Sequence, residues 1–171
     1  MQTTTLYLAR HGETVDNINQ IMQGQTQGRL TPNGIRQAEA LRDAMAAVSL
    51  DAVMSSDLKR AVDTAAIVAG PHGLTVRTTP LLRERDWGSF TGRYIPGLKG
   101  EAWPDDIETL EQLMQRAGLF LSLLRREHAG QTVLAVGHGI INKAIQAVHF
   151  GKPMQDIKRM ENAEVRLLHI G

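Results

Sequence analysis

The sequence predicts an α/β protein of three layers, in which a mostly parallel sheet lies between helices on both of its faces. Short apolar runs rich in β-branched residues alternate with segments of helical period along most of the chain, as expected for βα crossovers. With 171 residues, 42% of them apolar, the chain can build one ordinary core. Residues 1–171 are therefore expected to form a single domain.

Composition and charge exclude several classes of function. The formal net charge is +1, and acidic and basic residues are interspersed, so nothing favours a nucleic acid or a membrane as partner. The absence of cysteine excludes disulfides, thiolate metal sites and cysteine nucleophiles. No window reaches the roughly 18 apolar residues of a membrane helix. We expect a cytoplasmic protein, and its oligomeric state is left open.

The first part of the chain carries clear strand and helix signals. Residues 3–9 consist of Thr, Leu, Tyr and Ala and predict the first strand. Residues 12–29 form a long polar connection, a length that is usually functional or disordered. A helix is predicted to begin at Pro32 with Thr31 as its N-cap. Its apolar residues recur at helical spacing: Ile35, Ala38, Leu41, Met45 and Val48.

The middle of the chain repeats this strand–helix alternation. Residues 51–54 predict a short strand, and the Ser-Ser-Asp sequence at 55–57 is expected to cap the helix that follows. The Gly-Pro-His-Gly sequence at 70–73 ends that helix. Residues 74–78 alternate in polarity and predict a strand at the edge of the sheet.

The last part contains the longest helix, predicted over residues 107–128 and capped by Asp105 or Asp106. Residues 131–136 predict a buried strand that is followed directly by another helix. Residues 163–170 close the chain as a strand.

Charged and titratable residues cluster at the predicted ends of strands. Arg10 and His11 end the first strand, and His138 ends a later one, with a glycine after each histidine. Arg60 and Glu84 follow two further strand regions. In an open α/β sheet the carboxyl ends of the strands form the ligand crevice. Two arginines and two histidines beside a helix N-terminus predict an anion site that suits a phosphoryl group.

Several motifs resemble the histidine phosphatase superfamily, the phosphoglycerate-mutase-like fold. They occur in the family's order along nearly the whole chain, and five segments carry the likeness: Leu-Ala-Arg-His-Gly-Glu-Thr at 8–14, Leu-Thr-Pro-Asn-Gly-Ile-Arg-Gln-Ala at 30–38, Ser-Ser-Asp-Leu-Lys-Arg-Ala at 55–61, Leu-Arg-Glu at 82–84, and Val-Gly-His-Gly at 136–139. Five motifs in the right order make the likeness specific.

The resemblance implies a mechanism that agrees with the residues themselves. His11 would be the nucleophile and form a phosphohistidine, while Arg10, Arg60 and His138 would hold the phosphoryl oxygens. Glu84 would serve as the proton donor and then as the base. No metal or cofactor is expected, because phosphoryl transfer depends mostly on positioning and electrostatics.

The expected substrate contacts lie beside these residues. Asn17 and Gln23 in the polar connection resemble the family's substrate contacts, and Gly139 allows the backbone to approach an anion. The expected activity is hydrolysis of a small phosphorylated metabolite. A phosphoglycerate mutase is a weaker alternative, because residues 85–106 are too short to close a deep lid. A phosphoprotein (phosphohistidine) phosphatase and a non-catalytic phosphate-binding module are further alternatives.

Several residues are not assigned to the chemistry. Glu108 is interpreted as an acid in the first turn of the long helix, and Arg116 as a residue that pairs with a neighbour. The remaining four histidines have no motif around them and are interpreted as surface or structural residues: His72, His128, His149 and His169.

Overall fold

The computed structural model describes residues 2–171, and its described part is built on one five-stranded sheet. The strands are β1 (Thr4–Arg10), β2 (Ala52–Ser55), β3 (Val76–Thr78), β4 (Thr132–Gly137) and β5 (Val165–Ile170). Their order is β3-β2-β4-β1-β5, and all neighbours are parallel except β5, which runs antiparallel to β1. The predicted mostly parallel sheet is confirmed, with β3 at one edge as expected.

Helices cover both faces of this sheet. They are α1 (Val15–Asn19), α2 (Pro32–Met45), α3 (Lys59–Ala69), α4 (Leu110–Glu127) and α5 (Gly139–Phe150). One buried apolar cluster joins α4 and α5 to one face through side chains such as Leu6, Leu8 and Phe120. A second cluster joins α2 and α3 to the other face through Ala9 and Val136. The three-layer α/β prediction is therefore confirmed. Within residues 2–171, every helix is too short or too polar to cross a membrane.

The register of the sheet aligns the strand ends that carry the site. Arg10 at the end of β1 is paired with Gly137 at the end of β4, and Ser55 of β2 is paired with Val136. The residues that follow these three strands therefore leave the sheet at the same edge. This places His11 and His138 next to each other although they are 127 positions apart in the sequence.

Some boundaries differ from the sequence-based expectations. The long helix α4 begins at Leu110, because Thr109 accepts the N–H of Gln112 and forms a capping box with it. Neither Asp105 nor Asp106 caps it; Asp106 instead accepts hydrogen bonds from Ser89. The polar connection over residues 12–29 contains the short helix α1, capped by Thr14, which was not predicted.

Two other local expectations were wrong. The Ser-Ser-Asp sequence does not cap α3, whose N-cap is Leu58 without a side-chain bond. The hydroxyl of Ser56 instead accepts the N–H of the N-cap residue Leu58 itself, and it also contacts a histidine of the site. Ile35, expected on the apolar face of its helix, is 43% exposed, and Leu110 is 50% exposed; both lie in the first turn of their helices.

Candidate active site

His11 lies directly after β1 and is almost fully buried. Its Nδ1 lies 2.7 Å from the carbonyl oxygen of Gly12. A carbonyl can only accept, so Nδ1 carries the hydrogen and Nε2 carries the lone pair. Burial lowers the pKa of His11 well below 6.5, and the charges of Arg60 and Arg10 lower it further. The ring is therefore neutral, with Nε2 unprotonated.

His138 is the N-cap residue of α5 and lies against His11, with ring centroids 5.0 Å apart. Its Nε2 is 2.7 Å from the hydroxyl oxygen of Ser56. Its Nδ1 is buried and has no hydrogen-bond partner within the described residues. Burial, followed by the charge of Arg60, holds the pKa of His138 well below 6.5.

The two arginines of the site are held by backbone carbonyls. Arg10 donates from Nη1 to the carbonyl of Met160 at 2.8 Å. Arg60 donates from Nη2 to the carbonyl of Gly24 at 2.8 Å, and from Nη1 to that of Thr26. Burial lowers the pKa of Arg60 to about 10 and also lowers that of Arg10, so both guanidiniums remain charged at neutral pH. Carbonyls orient these cations without neutralising them.

Glu84 lies at the N-terminus of α5, across Gly139 from Arg10. Its two carboxylate oxygens accept the N–H groups of Ile140 and Ile141, each at 3.1 Å. A Cβ added at Gly139 would lie 3.7 Å from Nε of Arg10 and 3.9 Å from Oε2 of Glu84. Gly139 therefore lies between the carboxylate and the guanidinium, and a Cβ at this position would make only ordinary van der Waals contacts with both.

A cavity of about 310 Å³ opens over these residues. Arg10, His11, Arg60 and Glu84 line it, and so do the three expected substrate contacts: Asn17, Gln23 and Gly139. His138 does not line it and instead lies behind His11. The structure thus brings all eight expected site residues together, seven in the wall of one cavity and one packed against it.

Side-chain hydrogen bonds fix the polar loop that forms part of this cavity. Oδ1 of Asn17 accepts the N–H of Thr14 at 3.0 Å and lies 3.3 Å from Nδ2 of Asn162. Oε1 of Gln23 accepts the hydroxyl of Thr14 at 3.0 Å. The amide oxygens of Asn17 and Gln23 are therefore engaged by the protein, which leaves their NH₂ groups as the donors available to a ligand.

Glu108 and Arg116 form a bidentate ion pair outside the main cavity. Nε and Nη2 of Arg116 bond the two carboxylate oxygens at 3.0 and 2.8 Å, and Nη1 donates to the carbonyl of Arg83 at 2.6 Å. The expectation that Arg116 pairs with a neighbour is confirmed. The interpretation of Glu108 as a first-turn acid was wrong, because α4 begins two residues later. The pair supports the segment that carries Glu84.

The site also contains residues that sequence reasoning missed. Lys143 and Arg159 line the cavity, together with an apolar wall formed by Ile21, Met22, Trp87, Ile95 and Ile140. Lys143 could have been found, because it lies four residues, about one helical turn, after Gly139. Arg159 lies in an irregular segment without a pattern.

The glycine after His11 has a different role from the expected one. A Cβ on Gly12 would overlap the carbonyl of Gly34, and a Cβ on Gly34 would overlap the carbonyl of Glu13. Gly12 therefore allows α2 to pack closely against the site segment, and its own N–H donates to the hydroxyl of Thr64 at 3.1 Å. Backbone packing, rather than approach to an anion, requires this glycine.

The fold and the site together define an α/β phosphatase. The model of the histidine phosphatase superfamily (branch 1) matches residues 6–171. The chain belongs to that family, and the resemblance stated from its motifs is confirmed.

The known proteins similar to this chain include one named as a probable mutase and others named as phosphatases. A probable phosphoglycerate mutase GpmB of Yersinia pestis is 32% identical over 169 residues, covering 91% of this chain and 79% of that protein. A mycobacterial glucosyl-3-phosphoglycerate phosphatase superposes with a TM-score of 0.87 at 27% identity, covering 98% of this chain and 91% of its own. A phosphoserine phosphatase of Entamoeba histolytica, solved with 3-phosphoglyceric acid, gives 0.85 at 25% identity over 96% and 89% of the two chains.

Proposed function

We propose that this protein hydrolyses small phosphate monoesters through a phosphohistidine on His11, without a metal. The observation that carries the proposal is the tautomer of His11. Its Nδ1–H is fixed on the carbonyl of Gly12, so the lone pair of Nε2 is free in a cavity that Arg10 and Arg60 also line. A neutral imidazole beside two cations is a suitable nucleophile for a phosphoryl group.

In the first step Nε2 of His11 attacks phosphorus. The N–P bond forms as the bond from phosphorus to the ester oxygen breaks, in line with the attack. Arg10 and Arg60, which line the cavity, stabilise the equatorial oxygens, and the lowered pKa of His11 keeps the nucleophile unprotonated. His138, outside the cavity wall, packs against the ring of His11 and supports the nucleophile rather than the oxygens. Glu84, protonated at this stage, gives its proton to the departing oxygen, and the alcohol leaves.

In the second step water replaces the histidine. The Glu84 carboxylate takes a proton from the attacking water as the new O–P bond forms and the N–P bond breaks. Phosphate leaves, and His11 returns to its neutral form with Glu84 protonated again. The N–H groups of Ile140 and Ile141 hold the Glu84 carboxylate in the wall of the cavity, beside the space for the departing oxygen and the attacking water.

The size of the cavity supports a small ester rather than a phosphoprotein. Its volume of about 310 Å³ lies at the lower end of the range of small-molecule sites. Small phosphorylated metabolites are also what the named phosphatase neighbours act on.

The test is a phosphatase screen on the wild type and on His11→Ala, each with and without EDTA. The control variant is His169→Ala, which removes an exposed histidine of β5. We expect turnover that EDTA leaves unchanged, loss of at least 10³-fold in His11→Ala, and no effect in the control. An acid-labile phosphoryl group should be trapped on the wild type only. Full activity in His11→Ala, or complete loss with EDTA, would contradict the mechanism.

A phosphoglycerate mutase is the second candidate, favoured by the 32% identity to a probable phosphoglycerate mutase. The same assay separates the two activities. A mutase would isomerise phosphoglycerate faster than it releases phosphate, whereas a phosphatase releases phosphate at the rate at which the ester disappears.

A further inference from the structure

The cavity carries more positive charge than one phosphoryl group needs. Four cationic side chains line it: Arg10, Arg60, Lys143 and Arg159. Within the described residues, Glu84 is the one acidic residue of its wall, and the carboxylate is bonded to N–H groups of α5. A phosphate dianion bound between Arg10 and Arg60 would leave Lys143 and Arg159 without a counter-charge.

Neither of these two outer cations is paired with the protein. Over residues 2–171, the side chains of Lys143 and Arg159 form no hydrogen bond and no ion pair. Other surface arginines do have partners, such as Arg83 with Asp57 at 2.6 Å. Glu164 is the acidic residue nearest to Arg159 in the sequence that forms an ion pair, and its partner is Arg166 at 2.7 Å. Both outer charges therefore remain available to a ligand.

The backbone around the outer cations is fixed with respect to the phosphate site. Lys143 lies on α5, one turn after Gly139, and is half-buried. Arg159 is exposed and precedes Met160, whose carbonyl holds Arg10. Burial lowers the pKa of Arg10, and the charge of Arg159 lowers it further, so the two guanidiniums repel each other; the carboxylates of Glu84, Glu161 and Glu164 act in the opposite direction. An anion bound beside them would relieve that repulsion.

We infer that Lys143 and Arg159 are specificity-determining residues, and that the substrate is a phosphate ester with a second anionic group, a carboxylate or a second phosphate, which these two side chains bind. This inference rests on the proposed function for the first phosphoryl group. The second group adds no bond-breaking step; it binds and orients the ester.

Three esters with the same glycerol skeleton test the inference. They are 3-phosphoglycerate, glycerol 1,3-bisphosphate and glycerol 3-phosphate, which place a carboxylate, a phosphate and a neutral hydroxyl at the same end. We expect wild-type kcat/KM to be at least tenfold higher for one or both of the doubly anionic esters than for glycerol 3-phosphate. Comparing kcat/KM for 3-phosphoglycerate and glycerol 1,3-bisphosphate shows whether a carboxylate or a phosphate is preferred as the second anion.

Variants then assign the effect to the two residues. Lys143→Gln and Arg159→Gln should each raise KM for the preferred ester about tenfold and leave kcat, and all constants for glycerol 3-phosphate, within about twofold. The matched controls are Lys158→Gln, next to Arg159, and Lys152→Gln, just after α5; neither residue lines the cavity. Both should behave as the wild type, and thermal unfolding checks that all four variants fold.

A binding measurement separates this inference from the proposed hydrolysis. Calorimetric titration of His11→Ala with the three esters reports affinity without turnover. Tighter binding of a doubly anionic ester, lost in Lys143→Gln or Arg159→Gln, supports the inference even if no ester is hydrolysed, in which case only the proposed function fails. Equal affinity for all three esters, or an equal loss for all three in both variants, would overturn the inference while hydrolysis stands.

Discussion

Acidification should destabilise the folded protein, because the fold buries two histidines in their neutral form. The pKa values of His11 and His138 are lowered well below 6.5, first by burial and then by the charge of Arg60. In the unfolded chain the same rings protonate near pH 6.5. Unfolding therefore takes up protons, so the stabilisation is present above pH 6.5 and is lost as the pH falls toward the pKa values of the folded state.

The size of the effect follows from proton linkage. At pH 7.5 the unfolded rings are mostly neutral, and the two states hardly differ in bound protons. At pH 5.5 both unfolded rings are largely protonated while burial disfavours protonation of the folded rings, which lowers the free energy of unfolding by up to about 3 kcal/mol for the pair. With the usual dependence on denaturant, the urea midpoint should fall by about 1–2 M. The pKa values of the Asp57 and Glu164 carboxyl groups are also lowered, from ordinary values of 3.8 and 4.5. These groups therefore change the stability only in more acidic solutions.

Urea unfolding followed by circular dichroism at pH 7.5, 6.5 and 5.5 measures this dependence. His11→Asn should remove somewhat less than half of it, because burial also lowers the pKa of His149, which contributes in the same range. His169→Asn, which changes an exposed histidine, should leave it unchanged. Comparing the pH dependence of each variant cancels the constant cost of the substitution itself. An unchanged pH dependence in His11→Asn, or a midpoint that does not move with pH in the wild type, would refute the buried neutral state.

Three further predictions concern packing and positioning. Gly34→Ala should destabilise by about 2 kcal/mol or more because its Cβ would meet backbone, whereas Gly118→Ala, with open space in α4, should stabilise by about 0.5–1 kcal/mol in the same denaturation assay. Arg116→Met should cost about 1–2 kcal/mol in unfolding free energy and lower kcat, since it leaves the partly buried carboxylate of Glu108 unpaired; a stability equal to that of the wild type would contradict this. Ser56→Ala should lower kcat about tenfold and shift the ¹⁵N resonances of His138, and unchanged resonances would show that the hydroxyl does not set its tautomer.

The sequence was sufficient for the sheet and for the central chemistry because both depend on local patterns. Apolar runs ending in Arg10-His11 and in His138 identify two buried strands, and parallel strands necessarily bring their ends to one edge. The positions of Arg60 and Glu84 followed from the same rule. Each of these residues lines or abuts one cavity in the structure.

What escaped the sequence depends on contacts between distant segments. Arg159 reaches the cavity because Met160 is fixed to Arg10, a contact across 150 positions that no local pattern reports. The packing of Gly12 against Gly34 is likewise visible only once α2 is placed against the site segment. The start of α4 was misplaced because Thr109 competed with two aspartates as a cap, and only the backbone shows which one wins.

The position of β1 in the sheet has a consequence for synthesis of the chain. Strand β1 is hydrogen-bonded to β4 and β5, which begin only at Thr132 and Val165. At roughly 5–20 residues per second, a ribosome needs about 6–25 s after β1 to make its first partner strand. During that interval an apolar strand, with the nucleophile at its end, has no sheet to join. A chain released before β4 would expose this strand to chaperones and aggregation, and the phosphate site would not exist until His138, directly after β4, has been made.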